Sequence, residues 1–538
     1  MSPFRRVLMN ALVLTLSAAP LSAIPALAQF YDPALQSLDL QSDVARSPRL
    51  RGMGGMVLVI PDRNNHLSLW DFAANPLGVF SEDSTGTMDL RPSTGSGSGA
   101  HLRPAERGER QDFAGRVSEV EFETFYRDHK SAAYGAVGQF ASLRTDTPYN
   151  DDIELRRSIS TPEVMGIMNG PIPRFGRDKL RYALRVRFGG EHLTDQYRTI
   201  TTNPNGQYIS LDGATVPTPI FFVPDEYRVN TSGIGGGLSY PIAKSHILAL
   251  GMDVVSQKIK GSNNSDRYSA ERTEDRPYTI GQASLVGHLG QAVEYGVDGR
   301  AWKSASEESW YFTISAGVGA IPLSGRGKLL EREEEGSALK SRVRIKSGNF
   351  ELGGSFWTRA SKVNITPPAV DDPTSFNLFM NQVYHRLNAD TLALPDSIVK
   401  NEIGNYAFGY AGGLSYRLKR GIVGAEYHWS REQIDQTYGG AGPKALAWDV
   451  RSGWEYLCTN VITGRVGYSY RWWDQNDYLR QNEFKGNSTS LGLGLHPMGT
   501  SWSLEAAWSF AWNQSDYGDP AESHDTRQML STQIYWNF

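Results

Sequence analysis

The sequence predicts an all-β fold: a transmembrane antiparallel β-barrel of about 14 strands (range about 14–18), with an N-terminal lumen or plug segment. Three observations predict it. The chain opens on an export signal, a long series of segments alternates apolar and polar residues, and the last segment alternates up to a terminal aromatic. In that last stretch Leu530, Thr532, Ile534, Trp536 and Phe538 share one face, while Ser531, Gln533, Tyr535 and Asn537 share the other.

Met1 to Ala28 reads as a secretory signal peptide, with Arg5 and Arg6 before an apolar run and Ala26-Leu27-Ala28 as the cleavage pattern. Pro20 and Pro25 speak against a retained membrane anchor. Residues 29–115 are the least barrel-like part and contain the flexible stretch Ser93 to Ala100. They suit a segment folded into the lumen or, alternatively, a tail with a linker. The barrel is expected over 116–538.

The strand series is regular. Val120, Phe122, Thr124 and Tyr126 oppose Glu119, Glu121 and Glu123, and Tyr182, Leu184, Val186 and Phe188 oppose Arg181, Arg185 and Arg187. Trp310, Phe312, Ile314, Ala316 and Val318 form a further apolar face, as do Val423, Ala425, Tyr427 and Trp429. A barrel of this size leaves a lumen too wide for side chains to fill, so the apolar faces are expected to meet lipid. Expected long loops run approximately over 145–179, 199–228, 366–402 and 475–486, and short links include 128–130, 243–245 and 419–421. The terminal strand should pair with a first barrel strand lying between Thr87 and Tyr126.

Composition excludes several functions. The net charge of −4 gives no hint of nucleic-acid binding. Cys458 is the only cysteine, so an intrachain disulfide and a C-x-x-C site are ruled out, and no metal or other cofactor is expected. Glu331-Arg-Glu-Glu-Glu335 lacks a calcium-loop spacing and reads as a solvated turn. The cluster Gly233 to Gly237 has no helix pattern after it and is not a phosphate loop.

Gly52-Met53-Gly54-Gly55 and Asn75-Pro76 form the plug motif. Its glycines permit positive φ and close backbone approach, and the Asn-Pro pair fixes a turn. Here the chain resembles the long-chain fatty-acid transporter (FadL-like) superfamily of outer-membrane proteins, although Leu77 stands where that family has alanine. The resemblance implies a fourteen-stranded barrel, an N-terminal plug and a hydrophobic solute. Relatives with the same signature act in secretion and surface attachment. The end of the chain, Ile534, Trp536 and Phe538, resembles the signal read by the barrel-assembly machinery.

Lumen-lining candidates are Arg181, Arg185, Arg187, Glu426, His428, Arg465 and Arg471. His428 and Ser430 share a face, a spacing similar to that of outer-membrane phospholipases, but that face is the polar one and no orienting partner for the histidine is evident. No catalytic residue is assigned. Within 372–400, Phe376, Phe379, Met380, Val383, Tyr384 and Leu387 recur at helical spacing and either dock a ligand or partner or pack on their own loop. The function expected is non-enzymatic passage of a solute through the outer membrane of a Gram-negative-type bacterium. The alternative is a structural or secretion-associated barrel holding a protein partner, with a hydrolase third. The other partners expected are outer-membrane lipid and lipopolysaccharide.

Overall fold

The computed structural model describes residues 47–60, 86–102, 110–127, 132–150, 153–172, 180–199, 225–243, 245–264, 268–314, 323–366, 401–436, 441–476, 481–516 and 522–537. The signal-peptide region, Asn75, Pro76, the helical-spaced residues of 372–400 and Phe538 lie outside them. A short helix α1 (Pro48–Gly52) comes first, with the Ser47 hydroxyl capping Leu50 N and Pro48 in the first turn.

Nine strands follow: β1 (Gly86–Leu102), β2 (Arg110–Arg127), β3 (Ala133–Asn150), β4 (Ile153–Pro171), β5 (Arg181–Thr199), β6 (Asp225–Ala243), β7 (His246–Asn264), β8 (Tyr268–Leu289) and β9 (Val293–Ile314). The second nine are β10 (Leu323–Ser347), β11 (Phe350–Thr366), β12 (Asn401–Leu418), β13 (Gly421–Gln436), β14 (Ala441–Leu457), β15 (Ile462–Asn476), β16 (Gln481–Leu495), β17 (Trp502–Asp516) and β18 (Glu522–Asn537). Each pairs antiparallel with its neighbours in sequence, and β1 also pairs with β18, so the sheet closes on itself. Closure leaves no sheet edge unpaired, which is the condition for standing in hydrocarbon. The terminal strand pairs as expected: Leu90 sits opposite Ile534 and Met88 opposite Trp536.

Eighteen strands is the top of the expected range rather than about fourteen. Two strands were hidden. Ser93 to Ala100, expected as a flexible stretch, lies inside β1, because glycine and serine pair through their backbone as well as any residue. The barrel therefore starts at Gly86, not at 116. Likewise β4 occupies most of the expected loop over 145–179, and β15 and β16 take up most of 475–486. Conversely, Trp310 to Ile314 is no separate strand but the far end of the 22-residue β9.

Short connections, with Gly290 and Gly348 at positive φ, join strands at the end where β18 finishes; we call this the turn end and the opposite one the loop end. Above the turn end the wall is inside out relative to a soluble protein. Leu184, Val186, Phe188, Leu250, Met252, Leu491 and Leu493 are exposed on the outside, while Arg91, Glu121, Arg185, Asp253, Glu426 and Arg465 are buried within. Outside apolar and inside charged is the pattern of a lipid-embedded barrel with a polar interior.

Strands β8, β9 and β10 run to 22, 22 and 25 residues, against 15 to 19 for the others. About 9–11 residues suffice to cross a bilayer. At the loop end of these strands the polarity reverses. The outward side chains become Lys260, Glu307, Lys328 and Glu331, and exposed ion pairs join Lys260 to Glu271 (2.7 Å) and Lys328 to Glu307 (2.6 Å). Trp310 and Phe312, expected to meet lipid, are instead buried on the inner side. The expected acidic turn is also mid-strand: Glu331, Glu333 and Glu335 point outward from β10, and Glu334 points in.

Candidate functional site

Two features of the inner wall stand out. The first is residues 47–60, which lie along the wall toward the turn end and follow it around the barrel from β17 and β18 to β11. The glycines of the predicted motif are what let this strap lie flat. Gly54 and Gly55 have φ of +73° and +81°. On the wall side, further glycines make room. A Cβ at Gly453 would come within 2.5 Å of Met53 O, one at Gly492 within 3.2 Å of Gly52 Cα, and one at Gly353 within 2.9 Å of Leu58 O. Met53, Met56, Leu58, Val59 and Ile60 are fully buried against it.

Charge fixes the strap at its two ends. Glu426 accepts from three consecutive backbone N–H groups: Val57 (3.0 Å), Leu58 (2.6 Å) and Val59 (3.0 Å). Nε and Nη2 of Arg49 donate to the two oxygens of Glu455 at 2.8 and 3.0 Å, and Arg465 bridges Glu455 to Glu505. Arg51 reaches across the closing seam, donating to Ser93 on β1 and Ser531 on β18, each at 2.7 Å. The strap thus ties together the first and last strands. Arg451 donates to Gly55 O at 2.8 Å.

The sequence-predicted lumen residues separate into two kinds. Glu426 and Arg465 hold the strap or its anchors. Arg181, Arg185 and Arg187 do not reach it: they pair along the wall with Asn169 (3.1 Å), Asp253 and Glu163 (2.9 Å). Arg471 is the most open of the set, its side chain 62% exposed and 3.7 Å from Asp449. His428 does have an orienting carboxylate, Glu426 at 3.1 Å, which sequence reasoning missed. That carboxylate is already committed to the strap, and no hydrogen bond joins Ser430 to His428 among the described residues.

The second feature is an apolar stripe in two clusters on the inner wall of β7 to β13, divided by a band of buried ion pairs, Arg272 with Glu308 (3.2 Å) and Arg276 with Glu274 (2.6 Å). Val255, Tyr278, Ile280, Trp302 and Ala338 pack together at mid-height. Closer to the loop end, Leu330, Val363, Ile365, Ile403 and Ile434 form a second cluster, and Trp310 and Phe312 stack beside it at 5.6 Å between rings. The polar atoms within the stripe are used internally: Tyr278 Oη and Trp302 Nε1 donate to Glu334 at 3.2 and 3.1 Å. Its signal in β10 was weak, since the face opposite Glu331, Glu333 and Glu335 carries Leu330 and Ala338 but also Arg332 and Glu334.

No protein-family model and no curated protein matches the chain. Among solved structures it is similar to the ferric yersiniabactin uptake receptor FyuA of Yersinia pestis, at 10% identity and a TM-score of 0.42, over 85% of this chain and 81% of that one. It is also similar to the toluene transporter TbuX of Ralstonia pickettii (10%, TM-score 0.37, 93% and 99% covered) and to TodX of Pseudomonas putida (11%, 0.32, 91% and 97%). The fourteen strands implied by the resemblance at Gly52 to Gly55 are not what the barrel has: it has eighteen.

Proposed function

We propose that the barrel conducts a small apolar or amphipathic solute across the outer membrane, without chemical change to it. The inner stripe carries this reading. A wall that stands beyond the bilayer has water available on both sides, so nothing in the membrane forces apolar side chains inward. Trp310, Phe312 and Ile365 concentrate apolar side chains near the loop-end mouth and Trp302 does so again at mid-height, with the ion pairs of Arg272 with Glu308 and Arg276 with Glu274 between them. The charged turn end, with the strap across its wall, then forms the second stage of the path.

The test is flux in proteoliposomes of two probes of similar size, one apolar aromatic and one a neutral sugar. Phe312→Asp or Ile365→Asp should slow entry of the apolar probe about tenfold, a change of about 1.4 kcal/mol. Sugar entry should stay as it was. Equal slowing of both probes, or of neither, rejects the stripe as the path.

A further inference from the structure

Two polar side chains buried on the inner wall have no hydrogen-bond partner among the described residues. Gln257 on β7 is fully buried, and neither its Oε1 nor its Nε2 is paired. Thr231 lies directly opposite it on β6, also buried, with its Oγ1 unpaired. Opposed residues of an antiparallel pair share one face of the sheet, so carboxamide and hydroxyl stand side by side. That face is the inner one, shared with Val255. Buried polar groups left unpaired are costly, and a wall that keeps three such atoms together invites a partner from outside the chain.

The surroundings define that partner. Two residues along β7 from Gln257 is Val255 of the mid-height apolar cluster, and Tyr278 of the same cluster lies opposite Val255 on β8. Thr231 is bordered by Gly189, opposite it on β5, and by Gly233, two residues along β6. Both glycines are only partly buried, so the wall is recessed beside the hydroxyl. The adjoining charge is already matched, because Arg276, opposite Gln257 on β8, donates to both oxygens of Glu274 at 2.6 Å. A carboxamide and a hydroxyl donate and accept hydrogen bonds without carrying charge. Beside an apolar cluster they match a neutral polar group attached to an apolar body.

We propose that Gln257 and Thr231 form a binding site for a neutral ring compound bearing a hydroxyl group. The ring lies against Val255 and Tyr278, and its hydroxyl bonds to the Gln257 carboxamide and to Thr231 Oγ1. This site rests on the apolar path proposed above and narrows its cargo to hydroxylated rings. A site that hydrogen-bonds a hydroxyl discriminates against the analogue lacking it, whose binding leaves the wall groups unpaired.

p-Cresol and p-xylene differ only in a hydroxyl against a methyl group. Full-length protein in nanodiscs is dialysed to equilibrium against each probe, with empty nanodiscs giving the uptake by lipid. Relative to that uptake, p-cresol should bind about tenfold better than p-xylene, or more. Gln257→Leu should shrink the preference, and T231V/Q257L should abolish it without weakening p-xylene binding. These replacements keep side-chain size and remove unpaired groups, and heat-modifiable gel mobility certifies folding. Equal binding of both probes to the unaltered protein overturns the site, a bound water then being partner enough, and leaves the apolar path standing. Binding of neither probe beyond lipid uptake defeats the path and the site with it. A preference unchanged in the folded double variant overturns the assignment to these two residues.

Discussion

Toward the turn end, the inner wall is charged, the outer wall is apolar and a strap of residues 47–60 lies against the inside. At the loop end of β7 to β13, the inner wall carries apolar clusters among buried ion pairs such as Arg272 with Glu308, and the outer wall is charged. The same strands build both. In β10 the outward residues pass from Glu331, Glu333 and Glu335 to Leu339, Val343 and Ile345, while the inward ones pass from Leu330, Arg332, Glu334 and Ala338 to Lys340, Arg342 and Arg344. At the turn end the arrangement is dictated by what lies outside, because lipid demands apolar side chains and leaves the polar ones to the lumen. Beyond the bilayer that demand lapses. Apolar residues kept inside there are not explained by the membrane, and under the proposed function they serve the path.

The largest effect should come from cutting the charge that holds the strap. Glu426→Ala removes the acceptor of three consecutive buried N–H groups, each of which costs about 1–3 kcal/mol when left unpaired. The strap should detach there while the barrel stays closed. Hydrogen exchange at residues 57–59 should speed up by at least a hundredfold, and heat-modifiable mobility should persist. Unchanged exchange would mean that the glycine-lined wall alone retains the strap.

A somewhat smaller effect tests the outer wall at the lipid level. Leu250 is 57% exposed on the outward face of β7. Leu250→Arg should destabilise the barrel by about 2–4 kcal/mol, as charge on a lipid-facing site near mid-bilayer does. Equilibrium unfolding in lipid vesicles measures this, and a loss below the lower figure would place Leu250 outside the hydrocarbon.

Much of this barrel could be read from residues alone, and what escaped did so for physical reasons. Alternation exposed the strands whose two faces meet different solvents, such as Tyr182 to Phe188. β1 escaped because Ser93 to Ala100 is small and polar on both faces, so its pairing rests on backbone hydrogen bonds that leave no pattern in the sequence. β9 was divided because its apolar face changes sides relative to the bilayer midway, which periodicity within either half cannot report. The strap was half legible. Gly54 and Gly55 announced unusual backbone, but Gly453, Gly467 and Gly492 on the wall looked like ordinary strand glycines until residues 52–54 were seen lying on them. Arg465 was flagged as a lumen residue, while its partners Glu455 and Glu505 were not, because ion pairs across strands follow register and not spacing.

The smallest effect is the most discriminating. Lys260 lies on the same outward face as Leu250, ten residues further along β7, and pairs with Glu271 at 2.7 Å while about half exposed. If the bilayer ends below it, Lys260→Leu loses only an exposed ion pair, and stability in vesicles should fall by no more than about 0.5–1 kcal/mol. A gain of about 1 kcal/mol or more would mean that lipid reaches this height and welcomes the leucine. In that case the outward lysines and glutamates of β7 to β10 would sit in hydrocarbon, and the inward turn of Trp310 and Phe312 would need another cause. A small loss at Lys260 beside a large one at Leu250 fixes the edge of the bilayer between them, and leaves the inner clusters above it without a membrane explanation.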